Sequence, residues 1–406
     1  MNMIDGGVTA PKGFRAAGVA AGLKKGKKDM AMLYSEKPCI AAGTFTSNIV
    51  KAAPVKWDSS IVHGRGCAQA VVMNSGVANA CTGEEGYGYC RKTAEMAAEL
   101  LGLKPEDVLV ASTGVIGRQL PMDVICGGIR MMVPMLSEKR SAGTLAAEAI
   151  MTTDTKRKEI AVSTEIGGKT VYIGGMSKGA GMIHPQMCTM LAFITTDACI
   201  SREMLQKALS ADVDRSFNMI SVDGDTSTND TCLLLANGMA QNEEITEEGP
   251  DFDAFCEALG TVTTHLAKSM AADGEGATAL FEVQVTGAAT HEEAVTISKS
   301  VITSNLVKTA IAGHDANWGR ILCAMGYSGA VFDPEKVDLY FISSAGELKI
   351  IENGVDTGYS EETATKILSQ KEITALIDLK QGTEKATAWG CDLTHEYISI
   401  NADYRS

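Results

Sequence analysis

Short apolar runs alternate with amphipathic ones along the 406 residues, which predicts a mixed α/β fold; a diglycine hairpin signal and several helix-cap signals mark where its elements begin and end. The length suits two or more domains and a large buried core. Hydrophobic residues make up 45% of the chain and charged residues 21%, within the ordinary globular range and outside the disordered one. No solenoid period or low-complexity linker interrupts the pattern.

Residues 68–73 read as a buried strand that ends in a loop at Asn74-Ser75-Gly76. A helix follows over about 88–101, with Gly102 as the glycine that stops it. Residues 108–111 form the next strand, run into Ser112-Thr113-Gly114-Val115-Ile116-Gly117, and lead to Pro121 in the first turn of another helix. The runs 159–165 and 169–173 flank Gly167-Gly168, the strongest hairpin signal in the chain. Residues 190–195 follow as a strand. Ser201 caps a helix reaching about 217, and a long helix covers 253–272. Thr290 and Glu293 have capping-box spacing after a strand at 281–285. A boundary near Leu280 divides a main α/β domain, 1–280, from a C-terminal α/β domain, 281–406.

Charge excludes one class of partner. Lysines and arginines number 36 and acids 50, a net of 36 − 50 = −14, and no basic cluster is interleaved with aromatics, so nucleic acid is not expected. The eleven cysteines include no Cys-x-x-Cys pair, which indicates reduced thiols in a cytoplasmic protein and no zinc site. The first residues lack the basic start and apolar core of a signal peptide. The segments 66–83 and 179–196 carry no charge, but their glycines, with Asn, Gln or His-Pro, do not suit a membrane span.

The chemistry concentrates in 178–198, Lys-Gly-Ala-Gly-Met-Ile-His-Pro-Gln-Met-Cys-Thr-Met-Leu-Ala-Phe-Ile-Thr-Thr-Asp-Ala. A glycine-rich turn there delivers Thr189 to the start of an apolar strand. A threonine hydroxyl is a weak nucleophile unless a base adjoins it, and cleavage before Thr189 would supply one, the freed α-amine. The same hydroxyl can make the cut by attacking the carbonyl of Cys188, an N-to-O acyl shift whose ester water then opens. That step needs a strained peptide and donors aimed at the oxyanion. Gly179, Gly181 and Pro185 permit unusual backbone angles nearby. Two other readings stand beside this one: Thr189 as an ordinary strand residue, and Cys188 as nucleophile with His184 as base, although Pro185 disfavours the helix that would bring those two face to face.

Other motifs carry less. Asp223, Asp225, Ser227 and Asn229 suggest a calcium loop, but Thr228 stands where glycine is needed and Leu234 where glutamate is needed, so a hydrogen-bonding loop is expected. Gly22 to Lys28, Gly-Leu-Lys-Lys-Gly-Lys-Lys, is one residue short of a phosphate loop and is expected to be a surface turn. His314 beside Asp315 has no catalytic partner at a known spacing and is read as structural.

Several runs occur together across the chain: Gly6-Gly7-Val8-Thr9-Ala10-Pro11-Lys12-Gly13-Phe14, Asn74-Ser75-Gly76 with Asn79-Ala80-Cys81-Thr82-Gly83, 112–117, Thr152-Thr153-Asp154-Thr155, the 178–198 segment, 221–230, His314-Asp315-Ala316-Asn317-Trp318-Gly319-Arg320, and Asn401 to Ser406. With these runs the whole chain resembles the ornithine acetyltransferase family, also called bifunctional glutamate N-acetyltransferase. The resemblance implies mixed sheets sandwiched between helix layers, with a smaller C-terminal α/β domain. It implies cleavage between Cys188 and Thr189 into an α chain, 1–188, and a β chain, 189–406. Thr189 would be the nucleophile, Thr113 and Gly114 the oxyanion hole, and Thr152, Lys178, Thr189, Glu275, Asn401 and Ser406 the substrate-binding residues. Alanine usually precedes the nucleophile in this family, and Cys188 departs from that.

The implied reaction is a ping-pong transfer of acetyl from N2-acetyl-L-ornithine to L-glutamate in arginine biosynthesis. It needs no metal or organic cofactor, and the processed chains would assemble as an α2β2 heterotetramer. Whether acetyl-CoA also donates acetyl stays open. Two alternatives remain at this point: an N-terminal-nucleophile aminopeptidase or amidase, and an uncleaved binding protein.

Overall fold

The computed structural model describes residues 1–184 and 190–403. Its strands are β1 Asn2–Ile4, β2 Phe14–Val19, β3 Met30–Phe45, β4 Cys67–Val77, β5 Val108–Val115, β6 Lys158–Ile166, β7 Lys169–Lys178, β8 Leu191–Thr196, β9 Thr231–Ala236, β10 Leu280–Ala288, β11 Asp338–Ser343, β12 Gly346–Glu352, β13 Val355–Asp356, β14 Glu372–Asp378 and β15 Glu384–Cys391. Among the described residues they form a nine-stranded sheet in the order β1-β6-β7-β8-β9-β3-β4-β5, with β2 also on β3, and a six-stranded sheet in the order β13-β12-β11-β14-β10-β15. Both are mixed. The pairs β4/β5, β8/β9 and β10/β14 are parallel and the others antiparallel.

The large sheet is buried on both faces, and its side chains divide with the two-residue strand period. Phe193, Leu191, Leu233 and Leu235 join one apolar cluster; Ala192, Ile194, Leu234 and Ala236 join the other. The helices α1 Ala53–His63, α2 Gly83–Leu101, α3 Met122–Met132 and α4 Arg140–Ala149 cover the first face. The helices α5 Arg202–Arg215 and α6 Pro250–Ala272 cover the second. The α6 cluster continues into the smaller sheet, where α7 His291–Thr303 packs on β10 and β15. This is a sheet sandwiched between helix layers.

Local signals place these elements. Gly167 and Gly168 both have positive φ (55° and 70°), as a two-residue hairpin turn between β6 and β7 requires. The Thr290 hydroxyl accepts the Glu293 N–H while the Glu293 carboxylate accepts the Thr290 N–H. Ser201 caps α5 through the Met204 N–H, and Gly102 ends α2 at φ 69°. The expected loop at Asn74-Ser75-Gly76 is instead strand. β4 continues through it because β5 offers matching parallel partners, Asn74 with Ser112, Ser75 with Thr113 and Gly76 with Gly114. The helix α2 also begins earlier than its pattern suggests, at Gly83.

One buried acid has no cation. Asp58 on α1 accepts the Val110 N–H at 2.8 Å with one oxygen, while its other oxygen has no donor among the described residues. Burial pushes this carboxyl well above its ordinary range, and the single backbone bond only partly opposes the rise. The folded chain therefore holds a proton that the unfolded chain releases, so stability falls as pH rises from the ordinary carboxylate pKa towards the folded one. The slope is about 1.4 kcal/mol per pH unit in that window. Asp58→Asn keeps the bond to Val110 and removes the titration. Its melting temperature relative to wild type is expected to climb between mildly acidic and mildly alkaline buffer, and a gap that does not change with pH would contradict this.

Candidate active site

The parallel junction of β4 and β5 is the first wall. Gly114 has φ +128° and Gly76 φ +112°, values that disfavour any side chain. They also touch: a Cβ on Gly114 would sit 2.3 Å from the Gly76 carbonyl carbon. Ser112 donates to Asn74 Oδ1 at 2.6 Å, Ser75 donates to Ala149 O at 2.6 Å, and Asn229 Nδ2 donates to Ser112 O at 2.8 Å and Ala78 O at 2.6 Å. These bonds hold Thr113 and Gly114 at the rim of a cavity of about 320 Å³. The cavity is also lined by Thr152, Lys178, Glu275 and Asn401. The two expected oxyanion-hole residues and four of the expected substrate-binding residues thus share one cavity.

Lys178 ends β7 and is wholly buried. Burial lowers its pKa, against the pull of Asp154, Asp230 and Glu275, with Lys158 adding to the fall. Glu275 lies directly on Gly181, where a Cβ would come within 2.4 Å of its carboxylate. Its Oε2 accepts Asn401 Nδ2 at 2.7 Å, and its N–H donates to Ala180 O at 2.8 Å. Asn401 comes from the last described helix, His395–Asp403, which brings it to the cavity.

Thr189, Cys188 and Ser406 lie outside the described residues. Both approaches to 185–189 are described. Lys178 pairs with Leu191 across β7 and β8, and the Met190 N–H donates to Asp230 Oδ1 at 2.8 Å. Asp230 is fully buried, its carboxyl raised well above the ordinary range by burial, and its Oδ2 has no donor among the described residues. On the other side Asp223 accepts the N–H groups of Met182 and Ile183, and the Tyr397 hydroxyl at 3.3 Å. His184 Nδ1 lies 3.2 Å from the Ser221 hydroxyl. The 221–230 loop is the hydrogen-bonding loop expected, and it grips both approaches. Among the described residues, no group of three or more His, Cys, Asp or Glu side chains is placed to hold a metal ion.

Two expectations outside the cavity fare differently. His314 is exposed at φ 55°, with the Ser369 hydroxyl 3.5 Å from Nδ1, and does not line the cavity. The 22–28 stretch is the surface turn expected, with Gly22, Lys25, Gly26 and Lys27 exposed, and it also sends one side chain inward. Asp29 folds it by accepting N–H groups from Ala21, Gly22 and Lys24, and Lys24 turns inward to donate to Met151 O at 2.7 Å. The Lys24 stem packs near Gly76, and burial pushes its ammonium down to about 8. Lysine spacing in the sequence carries no sign of this, because Asp29 and Met151 supply the folding contacts.

A hydroxyl and a glycine backbone lining one cavity with a buried lysine and a carboxylate make a site suited to acyl transfer on a small charged amine. The ArgJ family model matches residues 15–406. A curated relative from Symbiobacterium thermophilum is 53% identical over 412 residues, covering 100% of both chains, and one from Thermotoga neapolitana is 51% identical over 98% of this chain and 99% of its own. Each is called arginine biosynthesis bifunctional protein ArgJ. The crystal structure of the ArgJ protein of Bacillus halodurans is 48% identical at a TM-score of 0.50, and 98% of that chain matches 52% of this one.

This chain belongs to the ArgJ family. It is an acetyltransferase of arginine biosynthesis, which sets aside the amidase and binding-protein alternatives. Among the described residues no helix is long and apolar enough to cross a membrane.

Proposed function

We propose that this chain moves acetyl from N2-acetyl-L-ornithine to L-glutamate through an acetyl ester on Thr189, after cutting itself between Cys188 and Thr189. The α-amine of Thr189 takes the hydroxyl proton as Oγ attacks the acetyl carbonyl. The Thr113 hydroxyl and Gly114 N–H stabilise the tetrahedral oxyanion. The C–N bond breaks, the proton passes to the departing amine, and ornithine leaves. Glutamate then attacks the ester through its own amine and departs as N-acetylglutamate, returning Thr189 to its free form. Lys178 attracts the substrate carboxylate and Glu275 meets an ammonium.

The observation that carries this reading is the convergence of Thr113, Gly114, Lys178 and Glu275 on one cavity of about 320 Å³, a volume suited to an acetylated amino acid. The Bacillus halodurans chain adds support, since nearly all of it matches 52% of this chain, about the share one product of a central cut would have. In this reading no metal or organic cofactor takes part, acetyl-CoA serves as a second acetyl donor, and the processed α and β chains assemble as an α2β2 heterotetramer in the cytoplasm. Intact mass spectrometry before and after mixing with N2-acetyl-ornithine tests it. A fragment beginning at Thr189 that gains one acetyl group is expected; full turnover by an intact 406-residue chain would overturn the reading.

A further inference from the structure

Beside the cavity lies an ion cluster of which the transfer chemistry uses only one member, Lys178. Lys158 Nζ stands 2.7 Å from Asp154 Oδ1 and 2.6 Å from Asp273 Oδ2, and the three side chains are 1%, 0% and 5% exposed. Each carboxylate also holds backbone. Asp154 accepts the Thr152 N–H at 2.9 Å and the Gly179 N–H at 2.7 Å. Asp273 accepts the N–H groups of Thr155 and Lys156 and the Thr155 hydroxyl. Thr152 is a cavity wall, Gly179 follows Lys178, and Asp273 caps α6 two residues before Glu275. One buried knot thereby joins three separate stretches of the site.

Its charge does not close internally. Two carboxylates and one ammonium leave −1, and the buried cation that completes the set is Lys178, whose interaction with Asp154 favours both charged forms. A buried ammonium without such a partner would shed its proton. Burial works against the Asp154 carboxylate too, but Lys178, Lys158 and the Thr152 N–H outweigh it and hold the group well below its ordinary range.

Resting on the acetyl-transfer reading above, we propose that Asp154 is a positioning residue of the reaction: by holding the Thr152 and Gly179 N–H groups it fixes the stretches that carry Thr152 and Lys178 to the cavity, and it supplies the negative charge against which buried Lys178 stays a cation. The ionisable groups that bear on Lys178 are Asp154, Lys158, Asp230 and Glu275, with Lys24 approaching from the 22–28 turn. Removing the Asp154 charge lowers the pKa of Lys178. Removing the Lys158 charge raises it, because two carboxylates then face one cation.

The test is the pH profile of kcat/KM for N2-acetyl-ornithine, measured on the processed enzyme across the neutral to alkaline range. Asp154→Asn is expected to move the alkaline fall down by about one pH unit and to raise KM about tenfold. Lys158→Gln should move the fall upward, and this opposite sign keeps the test decisive if one variant does not fold. Asp273→Asn, whose carboxylate pairs with Lys158, also removes one of the two negative charges and should lower the fall, but by less than Asp154→Asn does. A purely structural role predicts loss of rate with no shift in any variant, and that result overturns the proposal. Absence of acetyl transfer by the wild-type enzyme would instead strike the functional reading.

Discussion

With alanine in place of Thr189, denaturing electrophoresis is expected to show one band near 42.7 kDa after prolonged incubation, and no acetyl should pass to glutamate. The wild-type chain should give two bands near half that mass. In the proposed mechanism both losses come from one atom, because the hydroxyl that would open the 188/189 bond is the one that would later carry acetyl, and the amine acting as its base would exist only after the cut. Loss of rate should exceed about 10⁴-fold, since nucleophile and base vanish together. A Thr189→Ala chain that is cut and active would return Cys188 and His184 to consideration.

Gly114→Ala has the next largest expected effect. A methyl group there would overlap the Gly76 carbonyl carbon and must adopt φ +128°, so the backbone at 114 has to shift at the cavity wall. Loss of one preorganised oxyanion donor costs about 10²–10³-fold in kcat. Single-turnover acetylation of processed enzyme measures it directly. Gly117→Ala is the control: Gly117 also has positive φ, but nothing lies within 4 Å of its Cβ position, so only backbone strain is added. Equal losses in the two variants would argue against a specific role for Gly114.

How much the sequence reveals depends on how far apart the contributing residues stand. The diglycine turn, the Thr290/Glu293 box and the Gly102 stop are legible because each is complete within a few residues. Strand 74–77 is hidden because its polar residues are satisfied from a distance: Asn74 by Ser112, and Ser75 by the carbonyl of Ala149. The same holds in the cavity. Thr113, Thr152, Lys178, Glu275 and Asn401 come from separate stretches, so no local pattern unites them, and family likeness located them instead. Asp154 stood inside a matching run without a role, for its partners Lys158 and Asp273 meet it only through the fold. The inward turn of Lys24 is hidden for a similar reason, being set by Asp29 and Met151.

The order of the large sheet has a consequence for a molecule severed at 188/189 as proposed. β1 to β7 precede the proposed cut and β8 and β9 follow it, yet β8 and β9 sit between β7 and β3. The downstream piece is therefore threaded into the upstream one, with six residue pairs from Ile173/Thr196 to Lys178/Leu191 on one flank and six from Ile40/Ala236 to Phe45/Thr231 on the other. Scission would free two chemical ends without freeing two bodies. The halves can part only by tearing open the middle of the sheet, so a nicked enzyme should purify, melt and refold or fail as one object.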